Sequence, residues 1–172
     1  MDEKYVADAV DRVVEDVRNG YPGLEVSGLP ITGRVLRLAQ FLASRREAVL
    51  SEHGLTVADF DVLASLRRRA GDSAIKVRDL QSWMMLSSGG MTKRLDRLES
   101  MGLLERHADP GDRRGILIQL TTRGRGVIDR ALPAVTESET QLVASSIGSA
   151  ETRRRVEDGL RQLLLAQETP FA

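Results

Sequence analysis

Cysteine is absent from the 172-residue chain, which excludes disulfide bonds, thiolate nucleophiles and cysteine-based zinc or redox sites. Aromatic residues make up only 3% of the sequence. No apolar run approaches the roughly 20 residues that a membrane-spanning helix needs. The acidic, amphipathic segment 1–18 has the pattern of neither a signal peptide nor a transit peptide. We therefore expect a cytoplasmic protein with no membrane partner, and its 41% of hydrophobic residues is enough for a core.

Signatures of common enzyme sites are also missing. The sequence contains no Gly-rich phosphate loop, no HExxH pair and no serine nucleophile elbow. Its two histidines, His53 and His107, are far apart and have no cysteine partners with which to bind zinc. We therefore predict that the protein is not an enzyme and uses no metal or other cofactor.

The net charge is zero, but the charges are unevenly distributed. Residues 67–125 hold 13 Lys or Arg and 7 Asp or Glu, whereas residues 1–30 hold 3 and 7. A local positive excess is what binding to phosphates requires. A helical protein can carry such an excess without binding nucleic acid, so charge alone leaves both interpretations open.

A short helix with clear start and stop signals lies inside the basic segment. Ser87 and Ser88 are helix-capping residue types, and Gly102 is of the type that ends helices. Apolar residues recur between them at a spacing of three or four: Met91, Leu95, Leu98 and Met101. A second short helix is predicted over 77–85. Two helices joined by such a tight turn are typical of a helix-turn-helix, whose second helix enters the major groove of DNA.

A hairpin follows this helix. Strands are predicted over 103–106 and 116–120, with the turn at Asp109-Pro110-Gly111. The loop carries two arginines, Arg113 and Arg114. Ile75 can add a short third strand beside the hairpin. The sequence thus predicts a mainly α fold with a small β wing, that is, a winged helix-turn-helix.

Helical patterns occupy the rest of the chain. Helices are predicted over 5–18 and 32–53, and a third begins after Thr56, with Asp59 completing a capping box. A later helix is capped by Thr121 or Thr122 and should bend at Pro133, and Ser149 caps the last one. The predicted organisation is an N-terminal helix and linker over 1–30, a dimerisation or support helix over 31–54, the winged helix over 55–125, and C-terminal dimerisation helices over 126–172.

The outer helices carry more apolar positions than a winged helix needs for its own core. The predicted buried positions of these helices include Val35, Leu38, Leu42, Val156, Leu160 and Leu163. Burial against a second copy of the chain would make a homodimer, which matches a two-fold DNA site. The alternative is that these helices pack on their own chain.

Three patterns, in order along the chain, resemble the MarR family of transcriptional regulators. The first is Gly90-Met91-Thr92-x-Arg94-Leu95-Asp96-Arg97-Leu98-Glu99, followed by Gly102-Leu103-Leu104-Glu105-Arg106. The second is Asp109-Pro110-x-Asp112-Arg113-Arg114-Gly115, and the third is Leu120-Thr121-x-x-Gly124. The resemblance covers about residues 31–167. It implies a homodimer that binds a pseudo-palindromic duplex, usually as a repressor, and that a small ligand usually releases from DNA.

The N-terminal helix and the segments 55–63 and 87–92 resemble the urate-responsive subgroup of that family. The resemblance implies a ligand site at Asp61, Arg94 and Arg106. Val17 stands where the subgroup has a tryptophan, so a large surface for stacking a purine is missing. The two arginines instead favour an anionic ligand, aromatic or purine-like. The alternative is that Asp61 is a surface acid or forms an ion pair with Arg94 or Arg106.

The predicted DNA-binding residues are Ser87, Ser88, Gly90, Thr92, Lys93, Arg97, Arg113 and Arg114. Thr92 and Lys93 are expected to meet base edges or phosphates. Arg114 is placed at the wing tip for a narrow minor groove, with Asp112 orienting its guanidinium. Ser88 can act as a helix cap as well, and Arg97 can contact phosphate or pair with nearby acids.

The predicted function is thus a ligand-responsive, DNA-binding repressor. Two alternatives remain at this point. One is a winged-helix DNA-binding protein without an effector. The other is a helical module that binds protein, which would show no salt-dependent affinity for duplex DNA.

Overall fold

A computed structural model of the chain describes residues 6–71, 73–84 and 88–168, and for Ser88, Arg113 and Arg114 it describes the backbone only. The predicted contributions of Ser87 and of the Ser88 hydroxyl therefore lie outside the described part. The chain forms two compact units, residues 1–48 and 49–172. Within the described residues, no helix combines the length and apolar character needed to cross a membrane.

The first unit contains helix α1 (Ala9–Gly20) and most of helix α2 (Leu29–Ser51). Helix α1 begins four residues later than predicted because the Asp8 carboxylate caps it, accepting from the backbone N–H groups of Val10 and Asp11. Helix α2 begins earlier than predicted and includes Pro30, which was placed in a loop. Proline is tolerated in the first helical turn, where its missing N–H has no partner to lose.

The second unit contains five helices and a three-stranded sheet among its described residues. The helices are α3 (Val57–Arg69), α4 (Val77–Met84), α5 (Ser88–Ser100), α6 (Thr122–Ser146) and α7 (Ala150–Glu168). The strands are β1 (Ile75–Lys76), β2 (Leu104–Asp109) and β3 (Asp112–Leu120). The predicted capping box of Thr56 and Asp59 is present. Thr121 caps α6 and the Ser149 hydroxyl accepts from the Thr152 N–H, so these predicted caps are confirmed as well.

The sheet has the antiparallel order β1-β3-β2. The predicted third strand at Ile75 is confirmed, since Ile75 pairs with Ile118. Asp109 faces Asp112 across the Pro110–Gly111 turn, but the next pair is Ala108 with Ile116. The segment 113–115 therefore bulges from β3 beside the turn. Arg113 and Arg114 lie in this part of the strand, and their predicted placement in a loop was wrong because β3 begins at Asp112.

The core of the second unit lies between the helices and the sheet. Its fully buried large side chains include Leu63, Leu66, Leu80, Met91, Leu95, Leu98, Ile118 and Ile128. The predicted apolar face of α5 is confirmed, with Met91, Leu95 and Leu98 buried and Met101 half-buried. Gly102 ends that helix with φ +67°, as predicted.

The burial predicted for the outer helices does not occur within the described single chain. In α2, Leu50 is buried, but Val35, Leu38 and Leu42 are exposed. In the described helix α7, no residue is buried. In the part of the chain that the structure describes, these side chains follow a helical period but remain exposed. Their pattern is therefore typical of helices that meet a surface outside it.

Candidate DNA-binding surface

Helix α5 presents a polar side opposite its buried apolar face. Met91, Leu95 and Leu98 anchor the helix in the core, while Thr92 and Lys93 are exposed. Gly90 is exposed in the first turn. The first turn of a helix also carries backbone N–H groups without helical partners, which favour phosphate. Short polar side chains, a lysine and helix-end N–H groups can therefore approach one anionic surface together.

Arg97 lies further along α5 and is tied to helix α3. Its Nε donates to both oxygens of the Asp59 carboxylate, at 3.2 and 3.0 Å. Asp59 is only 1% exposed, and it also accepts from the backbone N–H of Thr56 at 3.0 Å. Burial by itself raises the pKa of Asp59, but the hydrogen bonds from Thr56 and Arg97 outweigh it, so the pKa is lowered. The predicted pairing of Arg97 with a nearby acid is thus present.

The wing is joined to α5 by a second ion-pair cluster. Arg106 on β2 contacts Asp96 at 2.7 Å and Glu99 at 2.6 Å, both on α5. The alternative prediction, an ion pair of Asp61 with Arg94 or Arg106, stays a prediction. Asp96 and Glu99 lie about one turn apart on α5, so both carboxylates reach Arg106 on the neighbouring strand β2.

The predicted ligand residues lie on three elements of the second unit. Asp61 on α3, Arg94 on α5 and Arg106 on β2 are all half-buried. Val17, at the position of the missing tryptophan, is half-buried on α1 in the first unit. The structure therefore gives the three charged residues the partial burial that a ligand contact needs, and their role stays a prediction.

A third ion pair holds the base of the wing, and no sequence pattern pointed to it. Lys76 on β1 contacts the Asp109 carboxylate at 2.7 Å. The Asp109 side chain is 8% exposed and also accepts from the Gly111 N–H at 2.9 Å. The Lys76 ammonium and this N–H lower the pKa of Asp109. The only available signal was the Asp-Pro-Gly turn itself, since the lysine is 33 positions away in the sequence.

Asp112 was predicted to orient Arg114. Asp112 is half-buried at the start of β3. The side chains of Arg113 and Arg114 lie outside the described part, so their predicted DNA contacts and the role of Asp112 stay predictions. The backbone of Arg113 and Arg114 lies in the segment of β3 that bulges next to the turn of the wing.

A helix with an exposed polar side, a preceding short helix and a three-stranded wing together define a winged helix-turn-helix protein. Comparisons with known proteins narrow this class. A sequence model of the MarR family matches residues 53–115. The HTH-type transcriptional regulator PecS of Dickeya dadantii is 33% identical over 146 residues, which is 85% of this chain and 88% of that protein. The chain belongs to the MarR family of transcriptional regulators.

Other relatives agree with this assignment. The multiple antibiotic resistance protein MarR of Escherichia coli is 29% identical over 119 residues, which is 67% of this chain and 81% of that protein. The crystal structure of a mutant of E. coli MarR complexed with operator DNA matches with a TM-score of 0.67 and 29% identity, over 82% of this chain and 99% of that one. The Staphylococcus aureus MepR–DNA complex matches with a TM-score of 0.70 over 79% of this chain and 97% of that one, and at 20% identity it shows the fold alone.

Proposed function

We propose that the chain is a DNA-binding transcriptional repressor that binds a pseudo-palindromic operator as a homodimer. The observation that carries this proposal is the exposed polar side of α5, held on the core by its buried face and followed directly by the wing. The match to a relative whose structure contains operator DNA supports the same function. The positive excess of residues 67–125 supplies the charge that a duplex requires.

Within this proposal, α5 is the recognition helix, and its first turns enter the major groove. Thr92 and Lys93 contact base edges or phosphates, and the exposed glycine Gly90 permits close approach of the backbone. Arg113 and Arg114 extend from the wing toward the adjacent minor groove, whose negative potential favours a guanidinium. Ser87 and Ser88 add hydroxyl groups at the start of the helix.

The DNA contacts are tested by the salt dependence of binding. The probe is a duplex that the wild-type protein selects from a random-sequence pool, measured by fluorescence anisotropy. We expect Lys93→Ala to weaken binding and to reduce the slope of log Kd against log salt by about one unit, because one phosphate contact is lost. Arg114→Ala should weaken binding while the circular dichroism spectrum stays that of the wild type.

Arg154→Ala is the matched control, since it removes an exposed arginine of α7 at a position remote in sequence from the winged helix. It should change neither the affinity nor the slope. Unchanged affinity in both Lys93→Ala and Arg114→Ala would contradict this mode of docking.

The proposed effector is a small anionic ligand, aromatic or purine-like, bound at Asp61, Arg94 and Arg106. The partial burial of all three residues supports this. Arg106 is already held by two carboxylates of α5, so an anion that binds it has to compete with Asp96 and Glu99. Such competition would alter contacts of the recognition helix, which links ligand binding to release of DNA.

The ligand proposal is tested with a panel of aromatic carboxylates and purines that includes urate. We expect at least one compound to raise the melting temperature of the wild-type protein and to release it from the selected duplex. Asp61→Asn should shift the concentration at which release occurs and leave the affinity for DNA alone unchanged. If no compound of the panel changes either quantity, the protein binds DNA without such an effector.

A further inference from the structure

Asp59 has an unusual position for a charged residue. It lies in the first turn of α3 and is 1% exposed. A carboxylate buried to this extent needs partners, and here they come from two different helices. The Thr56 N–H binds it as part of the cap of α3, and the Arg97 Nε binds it from α5. The Thr56 N–H therefore holds the carboxylate in place on α3, where it forms a fixed acceptor for the Arg97 guanidinium of α5.

Apolar packing fixes which face of α5 is buried but leaves its exact rotation to other contacts. Leu95 and Leu98 belong to the same buried cluster as Phe60 and Leu63. Such contacts are non-directional, so they hold the helix on the core without specifying small rotations about its axis. A charge-assisted hydrogen bond to a fixed acceptor is directional. The Arg97–Asp59 pair supplies that direction in the second half of the helix.

We propose that Arg97 is a positioning residue that sets the orientation of the recognition helix through Asp59, rather than a direct phosphate contact. Lys93 lies one turn before Arg97 on the same side of α5. A rotation that the ion pair prevents would therefore move Lys93 relative to the groove. Arg97 is still 52% exposed, which is why sequence reasoning counted it among the DNA contacts. This inference rests on the proposed DNA-binding function.

The two roles of Arg97 are separated by a double-mutant cycle with Arg97→Gln and Asp59→Asn. The probe is again the duplex selected by the wild-type protein. If Arg97 acts through Asp59, Arg97→Gln should weaken binding about tenfold in the wild-type background and less than about twofold in the Asp59→Asn background. A direct phosphate contact would weaken binding equally in both backgrounds, and that result would overturn the inference.

Arg154→Gln is the control for the cycle, because Arg154 is an exposed residue of α7 that is remote in sequence from α5. It should leave the affinity unchanged with Asp or Asn at position 59. The ratio of affinities for the selected and a scrambled duplex gives a second readout, which a merely structural role would not change in the folded protein. We expect Arg97→Gln to lower this ratio, since a misoriented helix loses base contacts more than charge attraction.

Asparagine keeps the size of Asp59 and one acceptor oxygen, so the variant should fold. If it does not, the ratio of affinities for the selected and the scrambled duplex decides, since loss of a phosphate contact weakens binding to both alike: a ratio lowered by Arg97→Gln supports positioning. An unchanged ratio overturns the inference. If the wild-type protein binds no duplex in a salt-dependent way, the proposed function fails and the inference fails with it. Wild-type binding with an additive cycle overturns the inference alone.

Discussion

Gly124 lies where the start of α6 meets the start of the wing. A Cβ atom at this position would lie 1.8 Å from the carbonyl oxygen of Leu103, which already accepts from the Thr121 N–H at 3.1 Å. The Thr121 hydroxyl accepts from the Gly124 N–H and donates to the carbonyl oxygen of Gly102. The joint therefore links the end of α5, the entry to β2 and the cap of α6, and glycine is required by close backbone approach rather than by its dihedral angles.

We predict that Gly124→Ala lowers the free energy of unfolding by about 3 kcal/mol, because rigid backbone has to shift to admit the methyl group. Gly126→Ala is the matched control in the same helix. Its added Cβ would meet only the flexible end of Arg130, at 3.6 Å. It should leave stability unchanged or raise it by up to about 1 kcal/mol through helix propensity. Urea unfolding measures both, and equal midpoints for the two variants would contradict the close contact.

At the residue scale, sequence reasoning identified the glycine of the Leu-Thr-x-x-Gly pattern but not its reason. The ion pairs Arg97–Asp59 and Lys76–Asp109 could not be predicted from local patterns, since each joins residues more than 30 positions apart. Local patterns reveal which residues can pair. Which of several arginines reaches a given carboxylate depends on how helices pack, and that is set by the whole core.

Among the elements, helix α7 stands out because it lies in the folded chain without a buried residue. In proteins, most of the stability of a helix comes from packing of its apolar face rather than from helix propensity. Its exposed apolar side chains recur along one face: Val156, Leu160, Leu163 and Leu164. Helix α2 shows the same pattern, with Phe41 60% exposed. Both helices fit the proposed homodimer, in which a second copy covers these faces.

We predict that the wild-type protein has the mass of a dimer in light scattering and that Leu160→Glu shifts it toward monomer, because a charge replaces an apolar contact. Gln162→Glu is the control. It adds the same charge on the opposite face of α7, where the wild type has a polar, exposed residue. A monomeric wild type, or equal shifts in both variants, would contradict the assignment of this face.

Element positions were predictable where the sequence carries capping residues. Thr56 with Asp59, Gly102, Thr121 and Ser149 marked helix ends correctly. The predicted ends of helices and strands were wrong where one residue type is common in two kinds of structure. Pro30 was placed in the linker before the helix, although it lies in the first turn of α2. The polar start of β3 was predicted as a loop because charged residues next to a turn carry no alternating pattern.

At the scale of the whole molecule, the net charge of zero hides an uneven distribution of charge along the chain. Residues 67–125, which contain the winged helix, hold the positive excess, while residues 1–30 are acidic. The composition could indicate this uneven distribution, but it could not show which basic side chains are available to a partner. The structure shows that Arg97, Arg106 and Lys76 are already engaged with carboxylates. The proposed phosphate contacts are therefore fewer than the count of basic residues implies.

We propose that this chain recognises duplex DNA as a two-fold regulator. The most direct measurement is the affinity of the wild-type protein for its selected duplex, and for a half of that duplex, across a salt titration. We predict strong preference for the full duplex and a loss of affinity of at least about a hundredfold between about 50 and 200 mM salt. Affinity that is independent of salt, or equal for the full and half duplex, would contradict it.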